Sequence, residues 1–211
     1  MSEAIIIAVD GPAASGKGTL ARRLADHFTL RHLDTGGLYR AAAVRLLESG
    51  GDPADAATAE AAARNLAEND LKSPHLRDEE VGQAASILSA HPPVRAALLA
   101  YQRDFAATPP GAVLDGRDIG TVVCPEATGK IYLEASAETR AARRAKELRL
   151  RGVESIESRV LQEMKDRDAR DSGRAVAPLK AAEDALTIDT TDLSPDEVFD
   201  LALSYIAARV G

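Results

Sequence analysis

Ten residues near the amino terminus, GPAASGKGTL from Gly11 to Leu20, follow a continuous apolar run and could cradle phosphate. Gly11 and Gly16 permit a tight turn. The loop running through Pro12, Ala13, Ala14 and Ser15 can then point successive N–H groups inward, and the helix behind it adds its positive end. Lys17 reaches the outer phosphates. The usual loop places Ser or Thr directly after the lysine, as a ligand of Mg²⁺. Here Gly18 intervenes and the hydroxyl arrives one position late, at Thr19. Mg²⁺ should therefore rest more on phosphates, water and a distant carboxylate, while Thr19 bonds an inner phosphate.

Three further stretches carry groups suited to anions. In LDGRDIGTVVCP, Asp115 ends an apolar strand pattern, where a carboxylate facing the ligand crevice could hold a water on Mg²⁺; Arg117 and Asp118 follow at once. In DTGGLYR, Arg40 can grip a second phosphate, and Tyr39 either packs or lines the pocket. In RDARDSGRAVAP, Arg167, Asp171 and Arg174 recur at spacings of four and three, which puts them near one helical face. Taken alone, that last pattern also fits an exposed, salt-bridged helix face.

These groups need a scaffold, and the hydropathy pattern supplies one. Ile5 to Val9 reads as a strand buried on both faces. Leu20, Leu24 and Phe28 give the next segment an apolar helical face, RHLD is a short second strand, and Leu38, Ala42 and Leu46 continue as a helix that Gly50 and Gly51 stop. Strands return at Ala112–Asp115, Lys130–Ala135 and ALTIDT. Helices are predicted over Ala137–Leu150, from Ile156 to about Arg170, and in the closing segment, where Ser194 is the N-cap and Pro195 the first helical residue. The result is a doubly wound α/β class with a parallel sheet of about five strands. Residues 1–34 and 111–211 form the core, with a lid at about 144–158. Residues 35–110 form a helical insertion in which DPADAATAEAAARNLAEND, DEEVGQAASILSA and VRAALLAYQRDFAA read as helices.

Bulk properties exclude several classes. Aromatic residues make up 3% with no Trp, so Leu, Val, Ile and Ala must build the core, and stacking platforms for single-stranded nucleic acid are scarce. A net charge of -7 disfavours general binding of nucleic acid or acidic membrane, so phosphate must be met at a local cluster of Arg and Lys. The single cysteine, Cys124, reads as packing. MSEAIIIAVD has no basic region and reads as leading into the first strand, not as a signal peptide, and no apolar stretch approaches a membrane span. A cytoplasmic monomer without protein, membrane or nucleic-acid partners is expected.

The loop GxxxxGKGT resembles that of the nucleoside monophosphate kinases. The pieces GPAASGKGT, LDTGGLYR, QAAS followed by HPPVR, LDGRDIGTVV and RDARDSGRAVAPL occur in order over nearly the whole chain, and together they resemble bacterial-type cytidylate kinase. GRDxGTVV with RDxxDxxRxxAPL is far more specific than the phosphate loop.

That resemblance implies a P-loop kinase fold and an ATP-dependent, Mg²⁺-assisted phosphorylation of CMP and dCMP. It also implies that the cytosine amine is met by Ser86 and Asp118, and the acceptor edge of the base by Arg95. Arg167 and Asp171 would bind the sugar hydroxyls. Arg40, Arg117 and Arg174 would hold the acceptor phosphate, and Thr35 keeps the hydroxyl of a position usually given as Ser. The 35–110 insertion becomes the nucleotide-acceptor subdomain, more helical and compact than is common in the family. The basic stretch Arg140 to Arg151 falls at the lid; Arg144 is the candidate to swing onto the transferring phosphoryl, and the rest reads mostly as a solvated face. The rival readings are a kinase for UMP or another small acceptor, and a nucleotide switch. Against the switch, this chain lacks both an NKxD guanine motif and a hydroxyl directly after Lys17.

Overall fold

The computed structural model describes residues 4–210. Strand β1 (Ile5–Asp10) lies at the centre of a five-stranded sheet of order β2-β3-β1-β4-β5. The other strands are β2 (Arg31–Asp34), β3 (Gly111–Gly116), β4 (Gly129–Glu134) and β5 (Leu186–Asp189). β1 pairs in parallel with both β3 and β4, and β4 pairs in parallel with β5. The central strand thus sits between partners reached by different crossovers, and its carboxyl end opens at a topological switch point, where such sheets bind ligands. The P-loop type of α/β fold expected from the sequence is the one observed. The first three residues of the amino-terminal stretch lie outside the described residues.

Contacts divide the chain into two compact units, one comprising the chain up to His32 and from Ala106 onward, the other Leu33–Phe105. In the first unit, α1 (Lys17–Phe28) and α8 (Pro195–Val210) cover the sheet. Ile7, Val9, Leu24, Ile131, Leu133 and Ile206 are almost wholly buried there. Each such aliphatic side chain contributes about 1.5–3 kcal/mol through burial. Ser194 caps α8 as expected: its Oγ accepts from Glu197 N at 3.3 Å, and the Glu197 carboxylate accepts from Ser194 N at 2.8 Å, a reciprocal capping box. Helices α6 (Ala137–Leu150) and α7 (Glu157–Ser172) pack through Ala141, Leu148, Val160 and Met164, against which Ala13 and Ala14 of the phosphate loop also rest.

The second unit is helical. α2 (Thr35–Glu48) starts at an Asp34 cap and ends where Gly50 and Gly51 donate to Leu47 O and Leu46 O at 2.9 Å. It packs on α3 (Ala56–Arg64) and α4 (Glu79–Leu88), and α5 (Pro92–Ala107) follows. The predicted helix over 52–70 is shorter than expected. Asp55 caps its start, but Asn65 ends it, and the chain continues in 3₁₀ turns at Asp70–Lys72 and Pro74–Arg77. Alanine content favours helix, yet Asn65 turns its amide onto Ala61 O at 2.8 Å and closes the last turn.

Candidate active site

The phosphate loop spans the gap between β1 and α1. Gly11 has φ +151°, and a Cβ there would lie 2.2 Å from the carbonyl oxygen of Leu133, so only glycine fits. Gly16, at φ +96°, caps α1 from the left-handed region. Lys17 Nζ donates to Pro12 O at 2.9 Å. The loop is braced from behind, a feature the sequence reading missed. Arg140 Nη1 donates to Ala13 O at 3.4 Å and Nη2 pairs with Asp168 at 2.7 Å, while Thr190 Oγ1 donates to Ser15 O at 3.1 Å. Arg143 holds Thr190 in turn through Oγ1 at 3.0 Å and through the carbonyl. Arg140 is therefore not part of a solvated face: it is 5% exposed and belongs to the loop's support. Arg144 pairs with Glu147 at 3.1 Å, one turn along its own helix.

At the end of β3, the carboxylate of Asp115 is buried and accepts from His32 Nε2 at 2.8 Å. A Cβ on Gly18 would stand 3.9 Å from Asp115 Oδ1, so this carboxylate lies beside the loop position that lacks a hydroxyl. Beyond β3 the chain makes a single π-helical turn, Ile119–Val123, which no sequence pattern foreshadows. Asp10, at the end of β1, fixes that turn. Its carboxylate accepts from Ile119 N and Gly120 N, both at 2.8 Å. Burial pushes the Asp10 carboxyl up to about 7, the two N–H donors pull against this, the Asp118 charge adds to it and Lys17 opposes it. Sequence reasoning passed over Asp10. Its position, between a buried strand and a phosphate loop, was the available signal.

Asp171 sits between two arginines. Arg117 Nε donates to its Oδ2 at 2.9 Å and Arg174 Nη2 to its Oδ1 at 2.5 Å. Burial raises the Asp171 carboxyl, but the charges of Arg117, Arg174 and Arg167 outweigh this and hold the group below its ordinary value. The cluster is not an exposed helix face: Asp171 is 1% exposed. Nor do all three residues lie on one helix, because α7 ends at Ser172 and Arg174 lies beyond the Gly173 cap. Asp118 is buried in the same unit, directly before the π-helical turn. Cys124, just after that turn, is a buried thiol.

The second unit holds its own set. Asp34 caps α2 through Gly37 N at 3.1 Å and pairs with Arg40 Nη2 at 2.5 Å. Thr35 and Ser86 are buried on α2 and α4. Arg95, on the first turn of α5, stacks over the Tyr39 ring with 5.6 Å from its guanidinium carbon to the centroid, and donates to Ser89 O at 3.3 Å. Ser89 Oγ in turn donates to Ser86 O at 3.0 Å. Ser86, Arg95 and Tyr39 are thus brought together within this unit, as Arg117, Asp171 and Arg174 are within the other.

The chain is similar to known proteins over nearly its whole length. The family described as cytidylate kinase matches residues 7–208. A cytidylate kinase of Paramagnetospirillum magneticum is 56% identical over 207 residues, covering 97% of this chain and 98% of that protein. One from Methylocella silvestris is 57% identical over 202 residues, covering 96% and 94%. Among solved structures, a gluconokinase from Sinorhizobium meliloti 1021 matches with a TM-score of 0.54 at 14% identity, covering 99% of this chain and 94% of that one, a likeness of fold alone. The chain belongs to the cytidylate kinase family.

Proposed function

We propose that this chain is a nucleoside monophosphate kinase that transfers the terminal phosphoryl group of ATP to CMP and dCMP. The observation that carries the reading is the pairing of a phosphate loop at the end of β1 with a second set of phosphate-suited arginines, Arg117 and Arg174, held on the buried Asp171. A switch protein or a simple ATP-binding module has no use for the second set.

In this reading Gly11, Pro12, Ala13, Ala14, Ser15, Gly16, Lys17, Gly18 and Thr19 bind ATP, with Lys17 on the outer phosphates. Arg40, Arg117 and Arg174 take the acceptor phosphate, where their forked donors match its oxygens and offset its charge. Arg167 and Asp171 take the sugar hydroxyls. Asp118 and Ser86 accept from the cytosine amine and Arg95 donates to its N3 and O2, while Thr35 and Tyr39 complete the acceptor's surroundings. Uracil would turn a carbonyl oxygen toward Asp118, and two acceptors facing each other in a buried site are costly.

Mg²⁺ fits the residues present. The Asp115 carboxylate is a hard oxygen donor group, buried beside the side-chain-free position of the loop, and suits a cation that keeps its waters. When bound, Mg²⁺ supplies charge neutralisation at the phosphates. The protein's own residues do the rest by positioning: there is little covalent chemistry to perform, and alignment of donor and acceptor carries the rate. Closure of the lid over the site would exclude water and spare ATP from hydrolysis. Among the described residues no helix is long and apolar enough to cross a membrane. A monomer working in the cytoplasm, without nucleic-acid or protein partners, completes the proposal.

An acceptor panel with ATP and Mg²⁺, following ADP formation with CMP, dCMP, UMP, AMP, GMP and shikimate, tests the reading. Turnover of CMP and dCMP with UMP far behind is expected. Equal turnover of UMP or AMP would overturn the base-reading scheme, and no turnover with any acceptor would overturn the kinase reading.

A further inference from the structure

His32 lies on β2, and neither the phosphate loop nor the arginine cluster accounts for it. Its Nε2 is 2.8 Å from Oδ2 of Asp115, a residue 83 positions later in the chain. The Asp115 side chain is 6% exposed and the His32 side chain 20%. With the Asp115 oxygen as acceptor, His32 Nε2 is the donor of this bond. A bond of this length holds Oδ2 and so restricts rotation of the whole carboxylate.

The orientation of the carboxylate matters because both of its oxygens lie beside one position of the phosphate loop. A Cβ on Gly18 would lie 3.9 Å from Asp115 Oδ1 and 4.0 Å from Oδ2. The usual loop carries a cation-binding hydroxyl at this position, and this chain carries none. A larger share of cation placement then falls on Asp115, and its orientation matters correspondingly more. Groups that orient a metal-associated ligand by hydrogen bonding commonly change metal affinity when removed, although they never touch the metal.

Resting on the kinase reading above, we infer that His32 is a positioning residue for the Mg²⁺ site: it donates from Nε2 to Asp115 Oδ2 and holds that carboxylate toward the phosphate loop. It contacts neither nucleotide nor cation. A purely structural role would cost stability and would weaken nucleotide binding equally with and without metal. A positioning role acts selectively on the metal-dependent part.

The test is calorimetric titration of ADP into the wild type, His32→Leu and His32→Gln, each with excess Mg²⁺ and again with EDTA. Leucine removes the donor, whereas glutamine reaches about as far and keeps one. The expected result is that the gain in ADP affinity conferred by Mg²⁺ falls about tenfold or more in His32→Leu. The affinity in EDTA should hold, and His32→Gln should keep most of the gain. An unchanged gain in folded His32→Leu, or an equal loss with and without metal, would overturn the inference. If His32→Leu does not fold, ¹⁵N spectra of the wild-type imidazole with ADP and Mg²⁺ decide the matter: a hydrogen on Nε2 supports the role, and one on Nδ1 alone overturns it. Failure of the wild type to bind ADP at all would instead overturn the kinase reading.

Discussion

Replacing Asp10 by asparagine isolates one buried charge. Asp10 is 4% exposed and accepts two backbone N–H groups from the turn after β3, yet burial still raises its carboxyl from 3.8 to about 7. A carboxyl raised on folding binds a proton more tightly in the native state than in the unfolded chain. Its stabilising contribution is therefore complete below about pH 4 and is lost as pH rises toward 7. At about 1.36 kcal/mol per pKa unit, the full loss is about 4 kcal/mol, of which about 2.5 kcal/mol falls between pH 5 and pH 8. The amide of the Asp10→Asn variant cannot titrate. It keeps one acceptor but turns an NH₂ toward the second backbone donor, a cost of about 1–3 kcal/mol that is the same at every pH. Urea unfolding of both proteins across pH 5–8 separates the two effects, because other titrating groups cancel in the difference. The wild type should lose its advantage over Asp10→Asn steadily as pH rises and level off near neutrality. A difference that stays flat across this window would refute the reasoning, since it would mean that the two N–H bonds offset burial completely and Asp10 carries its charge throughout.

Other substitutions probe the remaining groups. Arg174→Lys keeps the charge but loses the planar fork, and should lower kcat/KM for CMP by about 10- to 150-fold, the worth of a hydrogen bond to a charged group, with the KM for ATP unchanged in steady-state assays. Asp118→Asn offers an NH₂ to a uracil oxygen and should shrink the CMP-to-UMP preference by about 1–3 kcal/mol, read as the ratio of kcat/KM values. Thr190→Val leaves Ser15 O without its hydroxyl donor and should raise the ATP Kd about fivefold, about 1 kcal/mol, while CMP binding measured in the absence of ATP holds steady.

The sequence made visible what short-range pattern encodes. The buried run Ile5–Val9, the glycines of the loop and the 3.6-residue periodicity of α1 and α2 all act within a few residues of one another, and each element lies where the pattern put it. Long-range partners were invisible. Asp10 meets a turn 109 residues later, Arg140 meets a carbonyl 127 residues earlier, and Thr190 braces a loop 175 residues before it. Periodicity also misplaced Arg174, because spacings of four and three look helical whether or not a glycine ends the helix between them. The alanine-rich segment failed differently: propensity alone predicts helix to 70, whereas Asn65 turns its amide onto Ala61 O and the Asp70 carboxylate captures the N–H of Ala67.

The bracing of the phosphate loop explains why its neighbours are basic while its ligand is anionic. A peptide unit points its C=O and N–H in opposite directions, so gripping carbonyls on one side of a loop turns N–H groups toward the other. Here Lys17 takes the carbonyl of Pro12, Arg140 that of Ala13 and Thr190 that of Ser15, and Ala14 between them adopts φ +58°, a conformation rare for a residue with a Cβ. Strain at Ala14 of about 1 kcal/mol persists because three donors over-determine its flanks. Arg140 has a second task, since Asp168 on α7 takes its other nitrogen at 2.7 Å and ties the helix pair behind the loop to the loop itself. The basic residues of α6 therefore divide by burial: Arg140 shapes the loop from within, whereas Arg144 is a quarter exposed and pairs with Glu147 one turn away.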